Sequence, residues 1–439
     1  MKDRNMIMAE KIAARVAEKG GRTFYVGGYV RDKLLGIENK DIDIEIHGIL
    51  PEVLEGILEE VGKKTEMGAS FGIFGLKGYE LDIAMPRKEE ATGRGHKDFA
   101  VFVDPFLGTQ KAAMRRDFTM NALMEDVLTG EIIDHFGGVE DMKKGVLRHV
   151  NTQTFVEDPL RVLRAAQFTA RFGFSVAEET IELAKTMDLT TLARERIWGE
   201  LEKALLKAKK PSIFFEEMRK MEQLTTWFPE VEQLLSIDVD GESLWQYTMG
   251  VLDKAAAIKK QSNNPLWFTL AALTHDFGKM VMRQDNPDEV VFADHGTKGV
   301  DVATEFVLRI NNETKLIKYV QNMTALHMEP GKLACEKAEK KVTNALFDKA
   351  VDPDDLVLLA SVVDKNGLSE ENEEFLQDRL ANFHEIMARP CVMGADLIKT
   401  GLKPGPYFSE ILAYAHELRL AEVEKDKALA ITLEKYRSL

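Results

Sequence analysis

Residues 40–46 read KDIDIEI, and this strict alternation constrains the fold more than any other segment of the chain. A side-chain period of two belongs to a strand, so Asp41 and Asp43 point to one face while Ile42 and Ile44 point to the other. The segment reads as a half-buried β-strand. Two carboxylates crowded together repel unless a cation separates them. Phosphoryl transfer uses that arrangement, with one or two Mg²⁺ ions bridging triphosphate oxygens and an attacking hydroxyl. Taken alone, D-x-D fits an exposed edge strand with alternating acids equally well.

The neighbouring segments narrow the choice. Upstream, Val26-Gly27-Gly28-Tyr29-Val30-Arg31-Asp32 puts two glycines between a strand over 23–26 and a helix opening near 30–35. Glycine lets backbone N–H groups approach phosphate oxygens, and a helix start adds positive partial charge, so Arg31 is placed to clamp a triphosphate. A tight turn with no ligand gives the same residues. Further strands are expected over 71–76 and 80–84, and Asp82 in the second is a candidate third carboxylate beside the metals, or a solvent-facing acid. Residues 87–104, with Gly93, Gly95 and many charges, read as a loop. Arg115, Arg116, Asp117 and Asn121 crowd two cations, an acid and an amide into RRDFTMNA, which salt bridging alone also explains.

With 439 residues, 45% of them apolar, the chain is long enough for two to four domains with real cores. The N-terminal residues mix charges into their apolar positions, and no run approaches the roughly 20 apolar residues of a membrane span. No membrane partner is expected, and the cytoplasm is the expected location. Cys335 and Cys391 are far apart and read as reduced structural residues. The net charge of -15 argues against a generic polyanion binder, leaving 87–97 (RKEEATGRGHK) and 207–210 (KAKK) as local basic stripes, or simply solvated faces.

Near residue 150 the pattern changes from short strands alternating with helices to amphipathic helix almost throughout. Helices are expected from 158 to 172, stopping at Gly173, then over 178–187, 194–208, 212–224 and 242–260, with a break at 262–265 (SNNP). The fold class is α+β, a small mixed-sheet head followed by an elongated all-helical neck and body. The expected divisions are 1–150 for the head, 151–210 for the neck, 211–385 for the body and 386–439 for a C-terminal helical segment.

The segments GGYVRDKLLG, KDIDIEI, RRDFTMNA, EDPLRVLRAAQFTARFGF and ERIWGELEKAL occur in an order and spacing that resembles class II tRNA nucleotidyltransferases and the similar bacterial poly(A) polymerases. The resemblance is strong over the first 210 residues. It implies that Asp41 and Asp43 hold two catalytic Mg²⁺ ions, that Gly27, Gly28 and Arg31 meet the incoming triphosphate, and that Arg116 and Asp117 complete the nucleotide pocket. It assigns base selection to Asp158 and Arg161, with Arg164 nearby. A carboxylate only accepts hydrogen bonds and a guanidinium only donates them, so together they match the amino donor and ring-nitrogen acceptor shared by cytosine and adenine. Spacing by three on a helix would make Asp158, Arg161 and Arg164 one polar stripe; an intrahelical ion pair is the plainer reading.

In the body, Leu273-Thr274-His275-Asp276-Phe277-Gly278-Lys279 resembles the His-Asp doublet of HD-domain phosphohydrolases, which implies a divalent metal at His275, Asp276, His295 and Asp364, with His327 also at an allowed spacing. Members carry a histidine where this chain has Tyr247, and tyrosine is a poor ligand at neutral pH, so the site is read as weakened or vestigial. The expected activity is template-independent addition of C, C and A to tRNA from CTP and ATP. A metal-activated 3′ hydroxyl attacks the α-phosphate and pyrophosphate leaves. The alternatives are a CC-adding or A-adding partial enzyme, a poly(A) polymerase, an HD phosphohydrolase with an RNA-binding head, and a noncatalytic tRNA binder.

Overall fold

The structure is a computed structural model that describes residues 3–68, 73–91, 99–239, 241–285, 292–364 and 368–437. The chain forms two compact units, one of residues 1–200 with 213–226, the other of 201–212 with 227–439.

The first unit holds strands β1 (Arg22–Val26), β2 (Ile42–His47), β3 (Lys64–Gly68), β4 (Ile73–Leu76), β5 (Leu81–Ala84), β6 (Arg87–Ala91), β7 (Phe99–Val103), β8 (Met124–Asp126) and β9 (Ile132–Ile133). Seven of them form a sheet in the order β3-β4-β5-β2-β1-β8-β9. Pairing is antiparallel except between β2 and β5, which run parallel with Asp43 opposite Asp82. The alternation in β2 has the anticipated result: Ile42, Ile44 and Ile46 are buried, Asp43 is half-buried, and Asp41 lies exposed one residue ahead of the strand.

Helix Arg4–Glu18 repeats apolar residues at Met8, Ile12 and Val16, a helical stripe, and buries it against β1, β2 and helix Pro51–Val61. Phe24, Val26, Ala112 and Met124 form a further buried cluster. Phe24 pairs across from Glu45, so this cluster shares a sheet face with the acidic residues of β2. Where a loop was expected over 87–104, β6 and β7 form a separate antiparallel hairpin. Charges along 87–90 mask a strand whose backbone pairs with the apolar run FAVFV. The centre of the basic stretch and the start of the strand expected at 71 lie outside the described residues.

Helix Leu160–Phe172 ends at Gly173, whose φ of 71° is the left-handed cap that glycine supplies without strain. It starts two residues later than expected. Pro159 holds the position before it, and Asp158 lies outside the helix, where its carboxylate accepts the Leu160 N–H.

The second unit is helical. Helices Leu244–Ile258, Pro265–Thr274, Phe277–Asp285, His295–Ile310, Thr314–Leu326 and Pro353–Val363 surround its core, and helices Gly394–Lys399, Phe408–Leu420 and Lys425–Lys435 follow near the C-terminus. Gly278 permits its tightest crossing: a Cβ there would stand 1.7 Å from the carbonyl oxygen of His295 and 2.6 Å from the Gly299 nitrogen. No described helix is long and apolar enough to cross a membrane.

Candidate functional sites

The acidic face of β2 opens on a cleft of about 510 Å³ lined by Asp41, Asp43 and Asp82. Strand register does the positioning, because parallel pairing sets Asp82 of β5 directly beside Asp43. The Asp43 carboxyl is raised above its ordinary value, first by burial and then by the charges of Asp82 and Asp41, with Arg116 opposing. A carboxylate in this position is stabilised by an added cation, so the three residues suit a divalent ion.

Gly27 has φ 65° at the start of helix Gly28–Leu34. A Cβ there would lie 3.4 Å from Arg116 Nη1 and 3.9 Å from Asp43 Oδ2, so turn, cation and carboxylate face one space. Behind them Arg116 Nη2 is 3.8 Å from Glu45 Oε2, and Glu45 hydrogen-bonds His47 at 2.8 Å. Burial alone would raise the Glu45 carboxyl, yet His47, Arg116 and Arg115 hold it below its ordinary value.

Arg31 is not an exposed clamp. It is buried, donates to Asp32 Oδ1 at 2.7 Å and to Asn121 Oδ1 at 2.7 Å, and lies over the rings of Phe168 and Phe172. Asn121 in turn donates to Asp117 Oδ1 at 2.9 Å, and Arg164 Nε donates to Asp117 Oδ2 at 2.7 Å. Burial would push the Asp117 carboxyl up, but Arg164, Asn121 and the Phe118 N–H together hold it below the usual range.

Asp158, Arg161 and Arg164 do not form one stripe. Asp158 precedes the helix and takes Arg196 Nη2 at 2.8 and 3.1 Å, while Arg161 donates to the Thr154 and Arg115 carbonyls at 2.7 Å each. Arg164 reaches Asp117. Each charged group therefore has a different partner, and no intrahelical pair joins Asp158 to Arg161.

The second unit encloses a cavity of about 420 Å³ lined by His275, Asp276, His327, Tyr247, Lys279 and Asp364, among others. His275, His295 and His327 each place Nδ1 at the carbonyl oxygen three residues earlier, in Ala272, Phe292 and Thr324. A carbonyl only accepts, so Nδ1 of each ring carries a proton and, in the neutral ring, Nε2 is left as the acceptor. The Nε2 atoms of His295 and His327 lie 3.0 Å apart, and Asp276 Oδ1 lies 2.9 Å from the former and 3.7 Å from the latter. Three acceptors thus converge, and Asp276 Oδ1 and His275 Nε2 are buried without a hydrogen bond. Burial first, and then His275, push His327 down to about 3, which keeps its ring neutral. Asp276, His295 and His327 have the donor types and proximity to hold a metal ion.

Residues 23–148 match the Poly A polymerase head domain, 173–235 the probable RNA and SrmB- binding site of polymerase A, and 246–365 the HD domain. The multifunctional CCA protein of Stenotrophomonas maltophilia is 33% identical over 427 residues, 91% of this chain and 99% of that protein. The chain belongs to the multifunctional CCA protein family. The relative from Actinobacillus pleuropneumoniae is 32% identical, covering 82% of this chain and 89% of its own. The Haemophilus ducreyi relative is 38% identical over 58% of this chain and 63% of its own. An apo CCA-adding enzyme structure shares the fold with TM-score 0.69 at 23% identity, covering 99% of this chain and 96% of that one. The Thermotoga maritima CCA-adding enzyme complexed with tRNA does so with TM-score 0.67 at 22%, over the same shares.

For this CCA-family chain, sequence reasoning left several residues of both sites without a role. Asn121 bridges Arg31 and Asp117, Arg196 holds Asp158, and Glu45 with His47 backs Arg116. Glu45 lies in KDIDIEI, Asn121 in RRDFTMNA and Arg196 in ERIWGELEKAL, so a signal existed. His327 belongs with Asp276 and His295 at the convergence of acceptors, whereas Asp364 lines the same cavity outside that group.

Proposed function

We propose that the chain is a cytoplasmic tRNA nucleotidyltransferase that adds C, C and A to the tRNA 3′ end from CTP and ATP without a nucleic-acid template. The observation that carries this reading is the in-register pair Asp43 and Asp82, joined by Asp41 in one cleft, with Arg116 beside the pair in an adjoining hollow and the Gly27 turn close to Asp43. Mg²⁺ held by Asp41 and Asp43 would supply charge to the triphosphate and lower the pKa of the attacking hydroxyl. Gly27 and Gly28 bring backbone close to the phosphates, and Arg116 offers positive charge across from Asp43. The RNA 3′ oxygen attacks the α-phosphate, and pyrophosphate leaves.

Base choice falls to Asp158 and Arg161, with Arg164 and Asp117 behind them. For the first two to meet a base, Asp158 must turn from Arg196 and Arg161 from its carbonyls, an exchange of hydrogen bonds rather than their loss. Arg31 supports the pocket from within, through Asp32 and Asn121.

The test is incorporation of labelled CTP and ATP, separately and together, into transcripts ending before CCA, after C and after CC. Three nucleotides and a stop are expected, with no product from Asp41→Ala/Asp43→Ala. CC or A alone would make it a partial enzyme, and long A tails a poly(A) polymerase.

The converging lone pairs in the second unit favour an additional reading, a divalent ion on Asp276, His295 and His327 that activates water against a phosphate ester. Tyr247 departs from the HD pattern at the rim of that site.

A further inference from the structure

Asn39 falls in the gap between GGYVRDKLLG and KDIDIEI, outside every motif quoted for the head. Strand β2 starts at Ile42, whose partner in β5 is Leu81, so the sheet ladder begins one residue after Asp41 and does not hold it. The Asp41 N–H instead donates to Asn39 Oδ1 at 3.0 Å, a turn closed by the side chain two residues earlier. At the other end of the same amide, Nδ2 donates to Asp32 Oδ2 at 2.9 Å. The two partners fix which end is which, because an N–H only donates and a carboxylate only accepts. Asp32 is 1% exposed, and its Oδ1 receives the Arg31 guanidinium at 2.7 Å. That buried ion pair is a fixed point, whereas residues 37–40 form neither helix nor strand. A Cβ on Gly28 would stand 3.8 Å from Asn39 Nδ2 and 3.4 Å from Arg31 Nη2, so the amide lies against the glycine turn as well.

We propose that Asn39 is a positioning residue for the head reaction: it ties the backbone of Asp41 to the buried Asp32–Arg31 pair and so sets where the Asp41 carboxylate stands beside Asp43. Strand register places Asp43 and Asp82, and Asn39 does for Asp41 what register cannot. An amide suits the task because one end must accept and the other donate. Aspartate at 39 would turn a second carboxylate toward Asp32, and alanine would leave both partners without their bond. Groups that orient a metal ligand change metal affinity or activity by about 10–100-fold, and an exposed ligand held through its backbone belongs at the lower end. This inference rests on the reading of Asp41 and Asp43 as ligands of a divalent ion.

The experiment is Mn²⁺ titration of the full chain followed by electron paramagnetic resonance. Asp41→Ala/Asp43→Ala is measured alongside, so that the difference between the two reports the head site alone. Asn39→Ala should weaken that site about 10-fold. Asn39→Ser, whose hydroxyl can accept from the Asp41 N–H but does not reach Asp32, should fall between Asn39→Ala and the parent. In CTP incorporation, Asn39→Ala should need about 10-fold more Mg²⁺ for half its maximal rate, with the KM for CTP within about 2-fold and the parent rate regained at saturating Mg²⁺. Circular dichroism melts verify that each variant is folded. Parental Mn²⁺ affinity in Asn39→Ala would overturn the proposal and leave the ion reading standing. A rate that added Mg²⁺ does not restore would also refute it, since the residue would then act on something other than the ion. Parental affinity in Asn39→Ser would remove Asp32 from the tether. No Mn²⁺ difference between the parent and Asp41→Ala/Asp43→Ala would sink the ion reading and the proposal together.

Discussion

The two sites solve the same electrostatic problem in opposite ways. In the head, carboxylates are held together by strand register and left open: Asp41 and Asp82 are exposed and Asp43 is half-buried. In the helical unit, Asp276, His275, His295 and His327 are all at least 97% buried, and a backbone carbonyl three residues earlier bonds Nδ1 of each ring. A site that must admit a polyanion keeps its repelling charges near water, which lowers the cost of holding them together. An imidazole costs less to bury than a carboxylate, so the helical unit surrounds its one buried acid with three rings instead of further acids.

The comparison breaks most visibly if the sites are not independent. Asp43→Ala should lower nucleotide incorporation by about 1,000-fold, roughly 4 kcal/mol of transition-state stabilisation, and leave Co²⁺ binding by the helical unit unchanged. A matching loss at both sites in a folded protein would end the idea of separate devices. Gly278→Ala is the complementary lesion. Its methyl would collide with the His295 backbone, so the helical unit should lose about 3 kcal/mol in a urea melt, and the cation site with it. Normal stability of that variant would mean the crossing is looser than the geometry requires.

Asp117→Asn sharpens the contrast within the head. It breaks a largely buried ion pair with Arg164 and should destabilise the first unit by about 2–3 kcal/mol. Because the Asp117 carboxyl is held below its unfolded value of about 4, its contribution is fully present above that pH and lost as pH falls through the lower folded value. Chemical-denaturation curves between neutrality and pH 3 should therefore fall less steeply for the variant than for the parent. The smallest effect is expected at Asp158→Ala. With the acceptor gone, preference for CTP and ATP over UTP and GTP should drop about 10-fold, read from kcat/KM ratios. Unchanged ratios would move base choice to other residues.

What could be read beforehand follows the range of the forces involved. The alternation at 41–46 and the apolar stripe at Met8, Ile12 and Val16 are local, and both elements were legible. The β6–β7 hairpin was not, because charges in Arg87–Ala91 hid a strand whose partner is the FAVFV run. Asp82 is anticipated as a third carboxylate beside the metals, but its exact register against Asp43 depends on β3 and β4 folding out between them, a long-range outcome. Motif spacing brought Arg161 to attention but not its partners, since backbone carbonyls carry no residue identity. His327 stood at a permitted distance, and only helix packing decided that it, rather than Asp364, joins Asp276 and His295.

Strand β1 lies between β2, which follows it closely, and β8, whose Asp126 pairs with Phe24. A ribosome making about 5–20 residues per second needs about 5–20 s to produce the roughly 100 residues that separate them. Throughout that interval the nascent chain displays one unpaired edge of its central strand, with Phe24 and Val26 waiting for Met124 and Ala112. Synthesis of the head thus includes a fixed period in which that edge is open to wrong partners, and it ends only when residue 126 is available to pair.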